Sequence, residues 1–322
     1  MVKDNSRISL GAYYSRPNAE DIMRAVVPLY RVENPRRCEY FQSGLNDIYR
    51  IESDTELFFL RLYRKDWRSQ AAINFEVDAL NYLHSRGVSV IKPIPTLTGE
   101  YVITVDVAEG QRHLIVTDCA LGSVPDLNNY KNVMSYGRLL ASLHIASADF
   151  ECKYDRFNYD SAHMVEAPLA RLAPHFSKFK VKWSQLARQV SALADKLISS
   201  DRNPVDCGFI HGDAHFGNVH QHNDGMTLFD FDLCGYGPRA LDLAVFKRFA
   251  ALQGKLDEWW LPFIDGYREI RSVSKLDFSL IEACMALRYF WEASMMANTL
   301  FEVQHWNLTE SKLSKLVQKT EL

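Results

Sequence analysis

The sequence predicts an α+β chain: a β-rich N-terminal lobe and a mostly helical C-terminal lobe, joined near residue 119. Three observations carry that expectation. The first third holds short apolar runs bounded by turn residues, as over 57–63. Beyond residues 118–122 the apolar residues recur at helical spacing over long stretches. No repeat period and no low-complexity segment interrupts either part. The expected division is 1–118 and 119–322.

In chain order, Asn18 before Ala19-Glu20-Asp21 is a helix start, with Ile22, Met23, Val26, Val27 and Tyr30 as its apolar face. Residues 39–41 and 48–52 read as strands on either side of the turn-rich segment 42–47. The run 57–63 is apolar on both faces and so predicts a buried strand. From Ser69 a helical period takes over through Ala72, Phe75, Glu76, Ala79, Leu80 and Leu83, closed by Gly87. Two strands follow near 101–107 and 112–117, then long helices near 129–148 and 180–199. A β-rich insert spans 208–231, with an Asn223-Asp224-Gly225 turn between two strands. From Arg239 onward the chain reads helical, including a strongly apolar stretch over 278–302.

Composition narrows the class. Of 322 residues, 47% are hydrophobic, 24% charged and 12% aromatic, as in an ordinary globular protein. The 15 glycines and 11 prolines fall below the combined average of about 12%, so long linkers are not expected. A formal charge of −3 argues against a broad nucleic-acid footprint, which needs clustered Lys and Arg. The six cysteines form no Cys-x-x-Cys, which predicts reduced core residues rather than a zinc knuckle or dithiol. No apolar h-region follows the charged start, and no stretch nears 18 uncharged apolar residues. A cytoplasmic protein without a membrane partner is expected; oligomeric state stays open.

The chemistry concentrates in Phe209-Ile210-His211-Gly212-Asp213-Ala214-His215-Phe216-Gly217-Asn218 and in Leu228-Phe229-Asp230-Phe231-Asp232. An apolar strand ends in an acid-bearing loop, and a second apolar strand carries acids two apart, which strand alternation would put on one side. Hard oxygen ligands so gathered suit Mg²⁺, which prefers one or two carboxylates plus substrate phosphates. Asn218 can add a neutral oxygen, and Asp213 stays available for a hydroxyl. His211, His215, His220 and His222 lack familiar zinc spacing.

His-Gly-Asp-x-His-x-x-Asn followed by Asp-Phe-Asp resembles the aminoglycoside phosphotransferase/choline kinase family, relatives of protein kinases. The segment from Gly235 to Ala244 is similar to the one that closes that family's catalytic core. Within the family, Ser43-Gly44-Leu45-Asn46-Asp47-Ile48-Tyr49-Arg50 and Leu60-Arg61-Leu62-Tyr63-Arg64 are most similar to homoserine-kinase-like and stress-response-kinase-like members. The resemblance implies a bilobal, protein-kinase-like α+β fold: an antiparallel sheet in an N-terminal nucleotide-binding lobe, and a helical C-terminal lobe with the catalytic loop and acceptor pocket. It implies ATP as substrate and Mg²⁺ as cofactor. Asp213 would orient the acceptor hydroxyl, and Asn218, Asp230 and Asp232 would be the metal residues. Ser43, Gly44 and Asn46 would cover the ATP phosphates. Arg61 stands where the family has a phosphate-binding Lys, with Glu76 as its expected partner. Asp118 and Ala120 would face adenine.

The acceptor is expected to be a hydroxyl on a small, amine-bearing metabolite or antibiotic, similar to homoserine, choline or an aminoglycoside. Residues 254–305 carry eight acids against five bases, which mildly favours a cationic acceptor. His215, Arg288, Tyr289 and Glu292 are the candidate acceptor contacts, although Arg288 and Glu292, four apart on a helix, can also pair with each other. Two alternatives stand beside this. A Ser/Thr protein kinase of the stress-response type would need no long activation loop, since only nine residues separate Asp232 from Asp242. A non-catalytic nucleotide-binding pseudokinase rests on the Lys-to-Arg change alone.

Overall fold

A computed structural model describes residues 11–176, 179–197, 205–223, 225–299 and 309–321. The chain forms two compact units, residues 1–70 with 93–119, and residues 71–92 with 120–322. The parts of the predicted helices at 198–199 and 300–302, and Asp224 of the predicted turn, lie outside the described residues.

The first unit is built on an antiparallel sheet. Its strands are β1 (Pro35–Ser43), β2 (Asp47–Ser53), β3 (Leu57–Leu62), β4 (Pro93–Ile94), β5 (Ile103–Val107) and β6 (Gly110–Asp118), in the order β1-β2-β3-β6-β4 with β5 also on β6. Strand β1 is longer than the sequence indicates because its polar positions find partners along the strand and on β2. Glu39 accepts from Arg37 (2.6 Å) and from Arg50 of β2, which gives an exposed strand no apolar signature. Helix α1 (Ala19–Ala25) starts where Asn18 accepts the Glu20 N–H at 2.9 Å. It lays Ile22 against a core of Tyr49, Ile51, Phe58, Leu60, Leu62, Leu114 and Val116.

Helix α2 (Gln70–Ser85) packs with the second unit, and its partners show why. Phe75 meets Phe150, Phe209 and Tyr236, and Arg156 Nη1 donates to Ala72 O (2.9 Å). After the helix, Ile91 donates to Leu228 O, and Leu228 donates to Ser89 O, both at 3.0 Å.

The second unit continues with α3 (Tyr130–Ala146), a π-helical turn (Ala162–Glu166), α4 (Ala167–Phe176) and α5 (Lys180–Asp195). The π turn and α4 do not show in the sequence because Pro168 and Pro174 interrupt the period. Strands β7 (Cys207–Ile210) and β10 (Gly235–Pro238) pair antiparallel, and β8 (Val219–His222) and β9 (Gly225–Leu228) form a hairpin. Helices α6 (Ala240–Leu252), α7 (Leu256–Ile270), α8 (Lys275–Thr299) and α9 (Glu310–Lys319) complete it. Its core is aromatic: Phe246 stacks on Phe263 with centroids 3.8 Å apart, and Tyr136 packs on both. All six cysteines are free thiols. Among the described residues no helix is long and apolar enough to cross a membrane.

Helix α3 reaches α7 through Gly137, where an added Cβ would sit 2.1 Å from the Phe263 carbonyl oxygen. Backbone cannot retreat there without opening the aromatic core. Gly137→Ala is expected to destabilise by about 1–3 kcal/mol or more, read as a lower denaturant midpoint with an unchanged slope.

Candidate active site

The segment between β7 and β8 is held from both ends. Strand β7 delivers Ile210 and pairs it with Gly235. At the far end Phe216, fully buried, packs on Tyr136, Phe246 and Trp259. Between these anchors Gly212 takes φ +78°, and a Cβ there would meet the Leu233 carbonyl oxygen at 2.0 Å. Only glycine fits that turn.

Beneath the turn lies Asp242, the first-turn acid of α6, fully buried. Its Oδ2 accepts the His211 N–H and its Oδ1 the Gly212 N–H, both at 2.8 Å. His144 Nε2 donates to Oδ2 at 3.0 Å, and Tyr267 O–H donates to His144 Nδ1 at 2.8 Å. Burial pulls the His144 pKa below its ordinary value, and Asp242 only partly opposes this, so the imidazole is neutral. His211 is neutral for the same first cause. Its Nδ1 accepts the Asp213 N–H and its Nε2 donates to Phe229 O. It ties the two chemical segments together as backbone support.

Asp213 stands at the tip. Oδ1 accepts Arg288 Nη2 at 2.8 Å, and Oδ2 accepts Asn218 Nδ2 at 3.1 Å with His215 Nε2 3.4 Å away. The His215 ring is oriented by the Gly217 N–H on Nδ1 (2.9 Å) and by stacking on Phe249, 9° from parallel. Burial alone would raise the Asp213 carboxyl. The His215 hydrogen bond and the Arg288 guanidinium outweigh it and hold the pKa well below the carboxylate range. The side chain nevertheless keeps 24% of its surface open, enough for one further donor.

Asn218 spends its amide nitrogen on Asp213, on Oδ2 and on the backbone oxygen at 3.0 Å. That leaves Oδ1 as the ligand end. Asp230 takes a left-handed conformation, φ +64° and ψ +62°, one that non-glycine residues hold at a cost and that concentrates at functional sites. Here the strand expectation for 230–232 fails: β9 ends at Leu228, and Phe231–Leu233 is a 3-10 turn. The left-handed residue breaks the strand, so alternation does not put Asp230 and Asp232 on one side. Asp232 is nearly buried, and its carbonyl accepts Arg156 Nη2. An oxygen-bearing amide and a carboxylate fit a hard cation that completes its shell with phosphate oxygens. Among the described residues no group of three or more His, Cys, Asp and Glu is placed to hold a metal by itself.

Ser43, Gly44, Asn46, Arg61 and Asp118 belong to the first unit, the first three at the β1–β2 turn and the last two on β3 and β6. Glu76 is buried on α2, among the charges that act on Arg156. The Ala120 carbonyl accepts His220 Nδ1 at 2.7 Å. Arg288, buried, donates through Nε to Glu292 (2.8 Å) and through Nη1 to Gly212 O (2.7 Å), besides its bond to Asp213. Glu292 also accepts from Arg248, whose guanidinium lies over Tyr289, 4.4 Å from the ring centroid. The acidic excess of 254–305 is similarly committed: Glu258, Glu269 and Glu282 pair with Lys255, Arg138 and Lys247, and Glu302 lies outside the described residues.

A model of the phosphotransferase enzyme family matches residues 38–275. The chain belongs to that family. It is 31% identical to a Deinococcus radiodurans protein over 80% of this chain and 76% of the other. Its fold matches amicoumacin kinase solved with AMP-PNP, Ca²⁺ and Ami (TM-score 0.78, 20% identity, 94% and 92% of the two chains covered). It also matches a microcompartment-associated aminopropanol kinase (TM-score 0.72, 22% identity, 94% of both chains). The chain is therefore a phosphotransferase with an alcohol acceptor, on the bilobal α+β fold of these kinases.

Two features of this phosphotransferase give no sequence signal. Arg156 donates to the carbonyls of Ala72, Asp232 and Cys234, joining α2 to the turn after Asp230. Tyr159 donates to the Leu233 carbonyl beside Gly212. Both lie in an aperiodic segment where no pattern marks a residue as buried.

The buried histidines set a pH dependence. Each is neutral in the folded chain and takes a proton near pH 6.5 once unfolded. The unfolded chain then binds more protons as pH falls, so stability drops by up to about 1.4 kcal/mol per pH unit for each histidine. Asp242, depressed in the folded state, adds a loss of the same sign at more acid pH. Denaturant unfolding between about pH 7 and pH 5 is expected to show a shallower loss in His144→Gln than in the wild type.

Proposed function

We propose that the chain transfers the γ-phosphoryl group of ATP to a hydroxyl of a small, amine-bearing metabolite or antibiotic, with Mg²⁺ held by Asn218 and Asp230. The Asp213 carboxylate supports this most: it accepts from Arg288 and Asn218, has His215 beside it, and is still partly open. Phosphoryl transfer passes through a loose transition state, so the acceptor needs aim more than it needs a strong base. A carboxylate held far below the ordinary range is suited to aiming, because it accepts the acceptor's O–H and fixes the oxygen's direction. Arg288 and His215 keep Asp213 from turning as the hydroxyl arrives. Mg²⁺, when bound, offsets charge on the phosphate oxygens. Ser43, Gly44, Asn46 and Arg61, with Glu76 and the backbone at Asp118 and Ala120, are assigned to ATP on the family resemblance, and Asp232 to support of the metal turn. The amine on the acceptor is supported by the aminopropanol kinase relative.

The test is ADP release from Mg·ATP against homoserine, choline, aminopropanol, thiamine, several aminoglycosides and a generic protein substrate. One small amine-bearing alcohol is expected to stimulate release, and Asp213→Asn to cut it by about 10²–10⁴-fold while the chain stays folded. Phosphorylation of the protein substrate alone would replace this reading with the protein-kinase one.

A further inference from the structure

The first unit contains a buried ionic cluster that the chemistry above does not use. Arg112, on β6, is 1% exposed, and all five of its N–H groups are taken. Nε donates to Tyr63 O (2.8 Å), Nη1 to Ser15 O (3.1 Å) and Glu109 (3.3 Å), and Nη2 to Asp47 (2.8 Å) and Leu62 O (3.0 Å). One guanidinium therefore faces two nearly buried carboxylates, Asp47 and Glu109. A buried charge without donors is costly, and the missing donors come from the segment before α1. Tyr14 O–H donates to Asp47 Oδ1, and Ser15 O–H donates to Glu109. That segment is fastened further by Tyr49 O–H on Pro17 O (2.7 Å) and by Arg16 over the Tyr40 ring.

Asp47 is also the first residue of β2, paired with Ser43 across the β1–β2 turn. Its Oδ1 accepts Ser43 O–H at 3.0 Å, and the Tyr14 hydroxyl lies 3.0 Å from the same Ser43 oxygen. Across the turn, Gly44 N–H donates to Asn46 O (3.1 Å), and Asn46 Oδ1 accepts the Arg64 N–H (3.1 Å). Tyr14, Ser43 and Asp47 thus form one triangle, whose base is locked to Arg112.

We propose that Tyr14 is a positioning residue for the phosphate-binding turn: its hydroxyl, anchored through Asp47 to Arg112, sets the rotamer of Ser43 and the shape of the 43–47 turn that receives the nucleotide phosphates. This rests on the assignment of that turn to ATP under the proposed function. A phenol that donates here makes the segment before α1 part of the nucleotide site although it need not touch the nucleotide. The signature of such a role is selectivity. Loosening the turn weakens phosphate contacts and leaves adenosine contacts alone.

The experiment is calorimetric titration of the full chain with Mg·ADP and with adenosine, in wild type, Tyr14→Phe, Ser43→Ala and the double variant. Tyr14→Phe removes one oxygen and keeps the ring, so folding should persist. The expected result is Mg·ADP bound about 3- to 10-fold more weakly, the scale of one hydrogen bond. Adenosine binding should be unchanged, and Tyr14→Phe should cost nothing further on Ser43→Ala. Equal Mg·ADP affinity in wild type and Tyr14→Phe overturns the inference, as does an equal loss for adenosine. Wild type that binds no Mg·ADP overturns the nucleotide assignment itself, and the inference with it.

Discussion

The buried Asp242 carboxylate accepts the N–H groups of His211 and Gly212 and the imidazole of His144, and the geometry of the site follows from that arrangement. Burying a carboxylate costs several kcal/mol unless donors meet it. Two of the three donors here are consecutive backbone groups, which can reach one carboxylate only if the chain turns at Gly212. The cost of the charge thus becomes a requirement on the loop. Asp213 leaves that turn in one direction, toward Arg288, Asn218 and His215. A loop held only by packing would have no such directional demand, since apolar contact is not directional.

The two acids at the centre are prepared in different ways. Asp213 is surrounded by donors that hold it ionised and fix its direction while leaving an open edge. Asp230 is set by backbone, in a left-handed residue that stops β9 and starts the next turn. Arg156 secures that turn by donating to the carbonyls of Asp232 and Cys234, and reaches α2 with its remaining nitrogen. The roles proposed for them, orienting a hydroxyl and holding a metal, would need separate environments, and what holds each one differs accordingly.

Much of this is legible in the residues. His-Gly-Asp-x-His-x-x-Asn and Asp-Phe-Asp mark the family and the two segments that His211 ties together, and the buried strands and long helices show through their periods. What stays hidden is local. Asp230 and Asp232 read as strand neighbours because nothing in Leu-Phe-Asp-Phe-Asp marks a left-handed residue. The reach of Arg288 beyond its pairing with Glu292 stays hidden because a helical period shows only which face the two share. Its third partner, Asp213, is 75 residues away in sequence. Arg156 and the Tyr14–Asp47–Arg112 cluster leave no trace for the same reason: their partners are distant backbone oxygens and buried charges, and sequence patterns report neighbours.

The most direct test of the division between the two acids compares Mg·ATP binding and turnover in Asp213→Asn and Asp230→Asn, with a metal titration at fixed ATP. Asp213→Asn should bind Mg·ATP as the wild type does and fail to turn over, while Asp230→Asn should lose the metal dependence of binding. If Asp213→Asn abolished Mg·ATP binding, or Asp230→Asn kept the wild-type metal dependence, the roles assigned to these two carboxylates would be contradicted.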